Sequence, residues 1–399
     1  MQEADGCLAR HQAVKSRPHT AAMRLTIVTD TYPPEINGVA QTVRAFEEGM
    51  RGLGHEVNLV RPCQAGESPH VGGGEVLARG ARLPRYRSLR FGFPCRSRLR
   101  RHWRALRPDA LYIATEGLLG WSAQRSAREL GIPLVTGFHT RFDQYAASYG
   151  LRLMEPMVAG WLRRFHAGAR ATLVPTEEVA ASLRAQGYRS LEVVGRGVDT
   201  TMFNPALRDP ALRHRLGASD ATLVLLHVGR VAPEKNLSLA IRAWEALAPT
   251  RSDLRFVIVG DGPELPRLRV RHPGILFTGA LPRATLARCY ASADLFLFPS
   301  LSETFGNVTL EALASGLPLV AFDYAAARQY VEHGASGLLA PYGDEDAFVR
   351  AALQLADNAE LRARLRAQAR QAVLKLSVES MVRRFASVLE HAAGKESAA

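Results

Sequence analysis

Lysine is nearly missing from this 399-residue chain: of its 51 basic residues only Lys15, Lys235, Lys375 and Lys395 are lysine, and the rest are arginine. A GC-rich coding sequence produces such a bias, and it makes Lys235, the sole lysine between positions 16 and 374, conspicuous. Cysteine is scarce as well. Cys7, Cys63, Cys95 and Cys289 stand without CxxC or Cys/His spacing, which excludes a zinc ribbon and a disulfide framework and predicts four reduced thiols. No run approaches the roughly 18 to 20 consecutive apolar residues that span a bilayer, and the N-terminus lacks a hydrophobic signal core. A cytoplasmic protein is expected, with any membrane contact made from that side. No GxGxxG occurs, so the NAD-type fingerprint is absent, and no DxD-type metal motif stands in a convincing loop.

What is present is the balance of a soluble globular protein: 47% apolar and 22% charged residues, with 33 Gly and 22 Pro. Wholesale disorder, collagen-like and coiled-coil readings drop out. The length suits two domains. A formal net charge of +13 favours anionic partners, whether phosphates, nucleic acid or lipid headgroups.

Residues 1–22 are polar and patternless and are expected to form a disordered extension, with Met23 a candidate start. Met23 to Thr29 then reads as a buried strand. A helical pattern carrying Val43, Phe46, Met50 and Leu53 follows and stops at Gly52 and Gly54, and Glu56 to Val60 is a second strand. Strand, helix, strand within about 40 residues is a βαβ unit with a right-handed crossover and a parallel sheet. The alternation recurs at Ala110 to Ala114, Pro133 to Phe138, Thr172 to Pro175 and Leu191 to Val194. After a break around Val198 to Pro205 it resumes at Leu223 to Gly229, Arg255 to Val259, Ile275 to Thr278, Leu295 to Pro299 and Pro318 to Phe322. The organisation expected is an α/β chain: a Rossmann-like domain at 23–205, a second at 206–375, and a C-terminal helix and tail at 376–399 that can cross back to the first. The helical stretch from Leu355 to His391 should break near Ser377. Two doubly wound sheets facing each other create a cleft at the carboxyl ends of their strands, where ligands bind.

Three segments carry chemistry. Asn37-Gly38 opens a helix after the first strand, which suits an anion on free backbone amides or simply makes the turn. In His227 to Asn236, Arg230 and Lys235 flank a proline. A guanidinium fork and a point charge so placed can grip a diphosphate from two sides, the alternative being a solvated basic pair. A lysine written into an arginine-biased chain favours the first. In Phe298 to Ala312 a strand end leads through Glu303 and Gly306 to a helix beginning near Asn307 with Glu311 one turn inside. Free amides and a positive dipole end would lie between two carboxylates, ready for a phosphate flanked by hydroxyls. Taken singly, Glu303 as a cap and Glu311 as a surface carboxylate are the alternatives.

Arg230, Lys235, the pair Glu303 and Glu311 spaced as E-x7-E, and Val259-Gly260-Asp261-Gly262-Pro263 together resemble the retaining nucleotide-sugar glycosyltransferases of the GT-B superfamily, in its family 4, from Met23 onward. Asp30 to Val39 and Phe138 to Tyr145 resemble the branch of bacterial GDP-mannose-dependent α-mannosyltransferases and sulfoquinovosyl and glycosyl diacylglycerol synthases. The resemblance implies GT-B architecture, two Rossmann-like doubly wound parallel-sheet domains facing across a cleft. It implies a donor set of Gly38, Gly229, Arg230, Lys235, Glu303, Phe305, Gly306, Asn307, Val308 and Glu311. Gly38 would approach the donor phosphates, Arg230 and Lys235 bind the diphosphate, Glu303 hold the sugar hydroxyls, the amides around Phe305, Gly306 and Asn307 face the distal phosphate, and Glu311 bind the ribose. His139 would sit near the sugar from the opposite domain, or merely end a strand. The chain departs from the family in carrying one glycine, Gly38, where relatives often have two adjacent.

The activity implied is retaining hexosyl transfer, with mannose from GDP-mannose the first choice and a UDP-sugar (glucosyl, glucuronosyl or sulfoquinovosyl) the alternative, to a lipid or lipid-linked acceptor. No cofactor or metal is expected. From Val76 to Pro108 there are eleven arginines and no acidic residue, interleaved with Tyr86, Leu89, Phe91, Phe93 and Trp103. That segment, from Arg79 to Arg107, can rest on an anionic leaflet or be a solvated basic face. A nucleic-acid partner is not expected, because no base-reading module accompanies the charge. A pyridoxal-phosphate phosphorylase would want a cofactor lysine in the second domain, and Lys375 is poorly placed.

Overall fold

The computed structural model describes residues 22–35, 37–83, 86–139 and 155–395. The expected disordered extension (but for its last residue), Arg85, the motif stretch from Thr140 to Tyr145 and the last four residues of the tail lie outside the described residues.

The first half alternates as its sequence pattern predicts. β1 (Arg24–Val28) is buried beyond its first residue. Asn37 caps α1 (Gly38–Gly52), its Oδ1 accepting from the Ala40 N–H at 2.8 Å. There follow β2 (Glu56–Pro62), β3 (Val71–Gly72), β4 (Glu75–Ala78), a hairpin of β5 (Gly80–Leu83) and β6 (Tyr86–Gly92), α2 (Arg96–Leu106), β7 (Ala110–Ile113), α3 (Leu118–Glu129), β8 (Leu134–Gly137), α4 (Glu155–His166), β9 (Ala171–Val174), α5 (Glu177–Ala185) and β10 (Leu191–Val193). The sheet runs β10-β9-β8-β7-β1-β2-β4-β3 and is parallel except at β3. Strands β3 to β6 were not foreseen. They are short, glycine-punctuated or arginine-rich, and carry no continuous apolar signal.

The second half holds α6 (Pro210–Arg215), β11 (Leu223–Val228), α7 (Leu237–Leu247), β12 (Leu254–Val259), α8 (Leu265–Arg271), β13 (Leu276–Gly279), α9 (Arg283–Ser292), β14 (Leu295–Phe298), α10 (Asn307–Ala314), β15 (Leu319–Phe322), α11 (Ala325–Tyr330), β16 (Gly337–Ala340), α12 (Glu345–Asp357), α13 (Ala359–Ala369) and α14 (Val378–Ala393). Its six parallel strands run β13-β12-β11-β14-β15-β16. The C-terminal helical stretch breaks twice. Asn358 caps α13 by accepting from the Leu361 N–H at 2.8 Å, and Ser377 caps α14 by accepting from Ser380 at 3.1 Å. Only the second break was expected.

Helices cover both faces of each sheet. On the first sheet, α1 and α14 share one core, with Phe46 and Phe385 stacked at 3.9 Å, and α2, α3 and α4 share the other through Leu99, Trp103, Leu119 and Phe165. The backbones of α1 and α14 approach closely because position 49 has no side chain: a Cβ there would fall 2.4 Å from Val382 Cγ2. In each sheet the chain starts in the middle, winds to one edge and crosses back. The resulting switch points, β1/β7 and β11/β14, are where a doubly wound sheet opens a ligand crevice at its carboxyl edge.

Candidate active site

The switch point of the second sheet gathers most of the residues singled out in the sequence. After β11 the loop from Gly229 to Asn236 lies against the loop after β12. The Val231 N–H donates to the Asp261 carbonyl at 3.0 Å and the Glu264 N–H to the Val231 carbonyl at 3.0 Å. Glycine makes this contact possible, since a Cβ at Gly260 would sit 1.8 Å from the Gly229 oxygen and one at Gly262 2.4 Å from the Val231 oxygen. The segment Val259 to Pro263 therefore packs the cation-bearing loop into place.

On that loop, Arg230 Nη2 donates to Oε1 of the buried Glu234 at 2.5 Å. The carbonyl of Glu234 accepts from the Leu301 N–H at 3.1 Å, which joins this loop to the one after β14. Lys235 Nζ pairs with Glu303 Oε1 across the same junction and lies 5.8 Å from the centroid of the Phe298 ring. Ser300 Oγ donates to the same carboxylate oxygen at 2.7 Å. The backbone of Glu303 is clamped by the Tyr324 hydroxyl, which accepts from its N–H at 2.9 Å and donates to its carbonyl at 2.6 Å.

Gly306 precedes α10 with φ +96°, a left-handed conformation that costs other residues roughly 1–2 kcal/mol. It turns the chain so that α10 starts at Asn307 beside Glu303. Phe305 is buried and packs against Tyr330, ring centroids 6.0 Å apart, so only its backbone is available to a ligand. Val308 packs on the adjoining core. Glu311 accepts from the Tyr290 hydroxyl at 3.1 Å and lies 3.8 Å from Arg283. Burial raises its pKa, and the Arg283 cation and the Tyr290 hydrogen bond oppose the rise. From the other domain, Gly38 at the start of α1 faces this helix. A Cβ on it would come within 3.3 Å of the Asn307 side-chain nitrogen. Arg283 reaches across too, to Gln41 Oε1 at 3.4 Å.

Family models for glycosyltransferases cover both halves: Glycosyltransferase Family 4 matches residues 36–202 and Glycosyl transferases group 1 matches residues 222–358. A GDP-mannose-dependent alpha-mannosyltransferase of Mycolicibacterium smegmatis is 36% identical over 323 residues, 79% of this chain and 84% of the relative. The chain belongs to glycosyltransferase family 4. Sulfoquinovosyl transferase SQD2 of Arabidopsis thaliana is 32% identical over 297 residues, 72% of this chain and 56% of that one. Sucrose-phosphate synthase from Thermosynechococcus elongatus matches the fold with a TM-score of 0.77 at 16% identity, over 94% of this chain and 100% of the other. The architecture is GT-B and the glycosyltransferase is a hexosyltransferase.

The first domain of this glycosyltransferase holds a set of buried polar groups, of which the sequence reading singled out only His139 as a site residue. Asp30, at the end of β1, accepts from the Gly92 N–H at 2.7 Å and from Thr115 Oγ1 at 2.8 Å, with Gly117 packed so closely that a Cβ would fall 2.1 Å from its Oδ2. Burial pushes its pKa up to about 6. His166 and Glu116 are paired at 3.3 Å, both buried, and Thr136 Oγ1 lies 2.9 Å from His166 Nδ1. His139, at the end of β8, has both ring nitrogens engaged: Nδ1 by Arg196 Nη2 at 2.7 Å and Nε2 by the Tyr112 hydroxyl at 2.5 Å. A guanidinium only donates, so Nδ1 accepts, Nε2 carries the proton and donates to Tyr112, and the ring is neutral. Burial, followed by Arg196 and His166, holds its pKa well below the usual histidine range. These groups come from the segments after β1, β7 and β8 and from the end of α4, and sequence spacing carries no trace of their meeting.

Among the described residues no helix is long and apolar enough to cross a membrane.

Proposed function

We propose that this glycosyltransferase moves mannose from GDP-mannose, with retention of anomeric configuration, to a lipid or lipid-linked acceptor. The observation that carries the reading is the convergence of Arg230, Lys235 and Glu303 at the β11/β14 switch point, facing Gly38 across the cleft. The donor base, the sugar and the acceptor class are taken from what the mannosyltransferase and glycolipid-synthase relatives are named for.

Cleavage of a nucleotide-sugar bond adds negative charge to the departing diphosphate and positive charge to the anomeric carbon. Two fixed cations and the amides at the start of α10 meet the first demand without reorganising, the condition under which electrostatic stabilisation is largest. Arg230 and Lys235 take the place that a metal ion occupies in other transferases, so no metal enters the reaction. Glu303 accepts from sugar hydroxyls and Glu311 from the ribose. No carboxylate of the set is placed as a nucleophile on the paired-acid pattern of retaining glycosidases. The acceptor hydroxyl attacks on the leaving-group face and the diphosphate accepts its proton. Trapping a covalent glycosyl–enzyme adduct would contradict this step.

The protein works on the cytoplasmic side of the membrane, where the arginines of α2 and the neighbouring hairpin contact anionic headgroups. Arg98, Arg101 and Arg104 are exposed on α2, while Arg96 and Arg100 pair with Glu129. Neutralising Arg98, Arg101 and Arg104 should abolish association with anionic liposomes at physiological salt, and unchanged association would remove the membrane claim.

The test of the activity is incubation of the enzyme with radiolabelled GDP-mannose or UDP-glucose and a bacterial lipid extract, followed by lipid chromatography. Label from GDP-mannose in an α-linked glycolipid supports the reading, and label from UDP-glucose alone assigns the donor to the alternative. Label in neither overturns the acceptor class.

A further inference from the structure

Arg196 is half-buried, and among the described residues no carboxylate neutralises it. Arg213 is neutralised by Asp294 and also donates to the carbonyls of Ser292, Ser219 and Thr222, and Arg61 is neutralised by Glu67 and Glu75. Arg370 spends its donors on three carbonyls. Among the described residues Arg196 has one partner, the neutral ring nitrogen of His139, and no carboxylate within ion-pair distance. A guanidinium carries five N–H donors, so most of its capacity is unspent. Desolvation pulls its pKa down to about 10, with the Tyr112 hydroxyl opposing the shift. A partly desolvated cation without a counter-charge, its unspent N–H groups open to the cleft side, is a ready site for an anion.

Its place in the molecule says what could pair with it. Arg196 reaches the carboxyl edge of the first sheet through His139, which ends β8. Its two neighbours touch second-domain and C-terminal segments. A Cβ on Gly195 would lie 3.7 Å from the Tyr330 hydroxyl, and one on Gly197 2.6 Å from the Ser377 oxygen. Tyr330 in turn packs on Phe305, in the loop that carries Glu303. The cation therefore sits where the first domain's strand ends meet the donor loop, at the junction that donor and acceptor must share.

We propose that Arg196 is an anion-binding residue of the cleft, taking an oxyanion (a carboxylate, sulfonate or phosphate) carried by one of the two substrates. This rests on the glycosyltransferase reading of the site and extends it from the diphosphate grip to a second, separate anion. The oxyanion belongs to the donor if it is part of the transferred sugar, and to the acceptor if it is part of the headgroup. The single bond to His139 holds the guanidinium in register while the other N–H groups stay available for the bidentate geometry that oxyanions favour.

The test compares matched probes on the full-length protein by calorimetric titration, for wild type, Arg196→Gln and Arg196→Lys. UDP-glucuronate against UDP-glucose reads the donor side. Methyl glucuronoside against methyl glucoside, and glycerol phosphate against glycerol, each with GDP present, read the acceptor side. In at least one pair, wild type should bind the anionic member about tenfold more tightly, as one charge-assisted contact provides. Arg196→Gln should erase the difference and Arg196→Lys should keep part of it. A donor-side preference assigns the oxyanion to the sugar, and an acceptor-side preference to the headgroup. Equal binding within every pair by wild type, or a preference that survives Arg196→Gln, overturns the proposal. GDP alone is the control. If GDP binds wild type and Arg196→Gln alike while every pair is equal, the anion subsite is wrong and the donor site stands; if GDP binds neither, the donor-site reading fails as well.

Discussion

Lys235 and Glu303 are each other's partner: the ammonium on the loop after β11 meets the carboxylate on the loop after β14, and Ser300 holds the same oxygen at 2.7 Å. Without a ligand the pair neutralises both charges in a half-buried site. In the proposed reading a diphosphate entering the junction would meet the lysine where it already stands, and the carboxylate beside it would accept from sugar hydroxyls, so one contact would serve two roles. Replacing Lys235 with Ala should lower kcat by about 10²–10³, the cost of removing one preorganised charge-stabilising donor. Arg230→Ala should fall in the same range. Steady-state kinetics on purified variants checks both, and wild-type turnover in either would remove that residue from the site.

The two carboxylates should separate on substitution. Glu303→Gln is expected to cut kcat by about 10² while leaving nucleotide affinity nearly unchanged, because in the proposed site its contacts would be to sugar hydroxyls. Glu311→Gln should weaken GDP binding by about tenfold, the worth of one charge-assisted hydrogen bond, with a smaller change in kcat. Calorimetry with GDP beside turnover measurements tells the two patterns apart, and a reversal would exchange the assigned roles.

Gly38 faces Asn307 across the cleft, and a methyl group there would stand 3.3 Å from the amide nitrogen. Gly38→Ala should keep or raise the melting temperature, since alanine narrows the unfolded ensemble by roughly 0.4–1 kcal/mol. Donor affinity should nevertheless fall, because the added carbon occupies the space where phosphate would approach the α1 amides. A variant that is more stable and binds GDP as tightly as wild type would contradict the placement of Gly38 against the donor.

Asp30 makes stability depend on pH. Its native pKa is raised by burial to about 6, above the value of roughly 3.9 expected when unfolded. The native state thus holds the proton more tightly, and the stabilisation is complete below the unfolded value and lost as pH rises through about 6. Asparagine keeps an acceptor for the Gly92 N–H and has no charge to bury. Melting temperature against pH should decline between about pH 4 and 6 in wild type by more than in Asp30→Asn. Parallel curves would show that Asp30 does not titrate in that window.

The main parallel strands of both sheets, and the meeting of Lys235 with Glu303 on the second, were legible because short-range features carry them: buried apolar runs, glycine at a turn, Glu303 and Glu311 on one loop and helix, and a lysine against an arginine background. Arg196, Tyr112 and His139 come from the ends of different strands, and Asp30 is held by Gly92 and Thr115 from distant segments. Only pairing in three dimensions joins them. The hairpin of β5 and β6 was missed for another reason: its arginines read as a charged surface, while its backbone is fastened to the sheet by the bond from Gly92 to Asp30. Tyr290 and Tyr324 look like ordinary core residues in the sequence, and their hydroxyl bonds to Glu311 and Glu303 appear only when the helices pack.

The most direct test of the donor site is a thermal-shift titration of the purified protein with GDP, UDP, ADP, GDP-mannose and UDP-glucose, without added metal, beside Lys235→Ala. A ligand that binds only the native state raises the melting temperature by mass action, about 2.7 kcal/mol at a hundredfold excess over Kd. The account predicts a shift selective for GDP and GDP-mannose that the variant loses. No shift with any nucleotide, or an equal shift in Lys235→Ala, would contradict it.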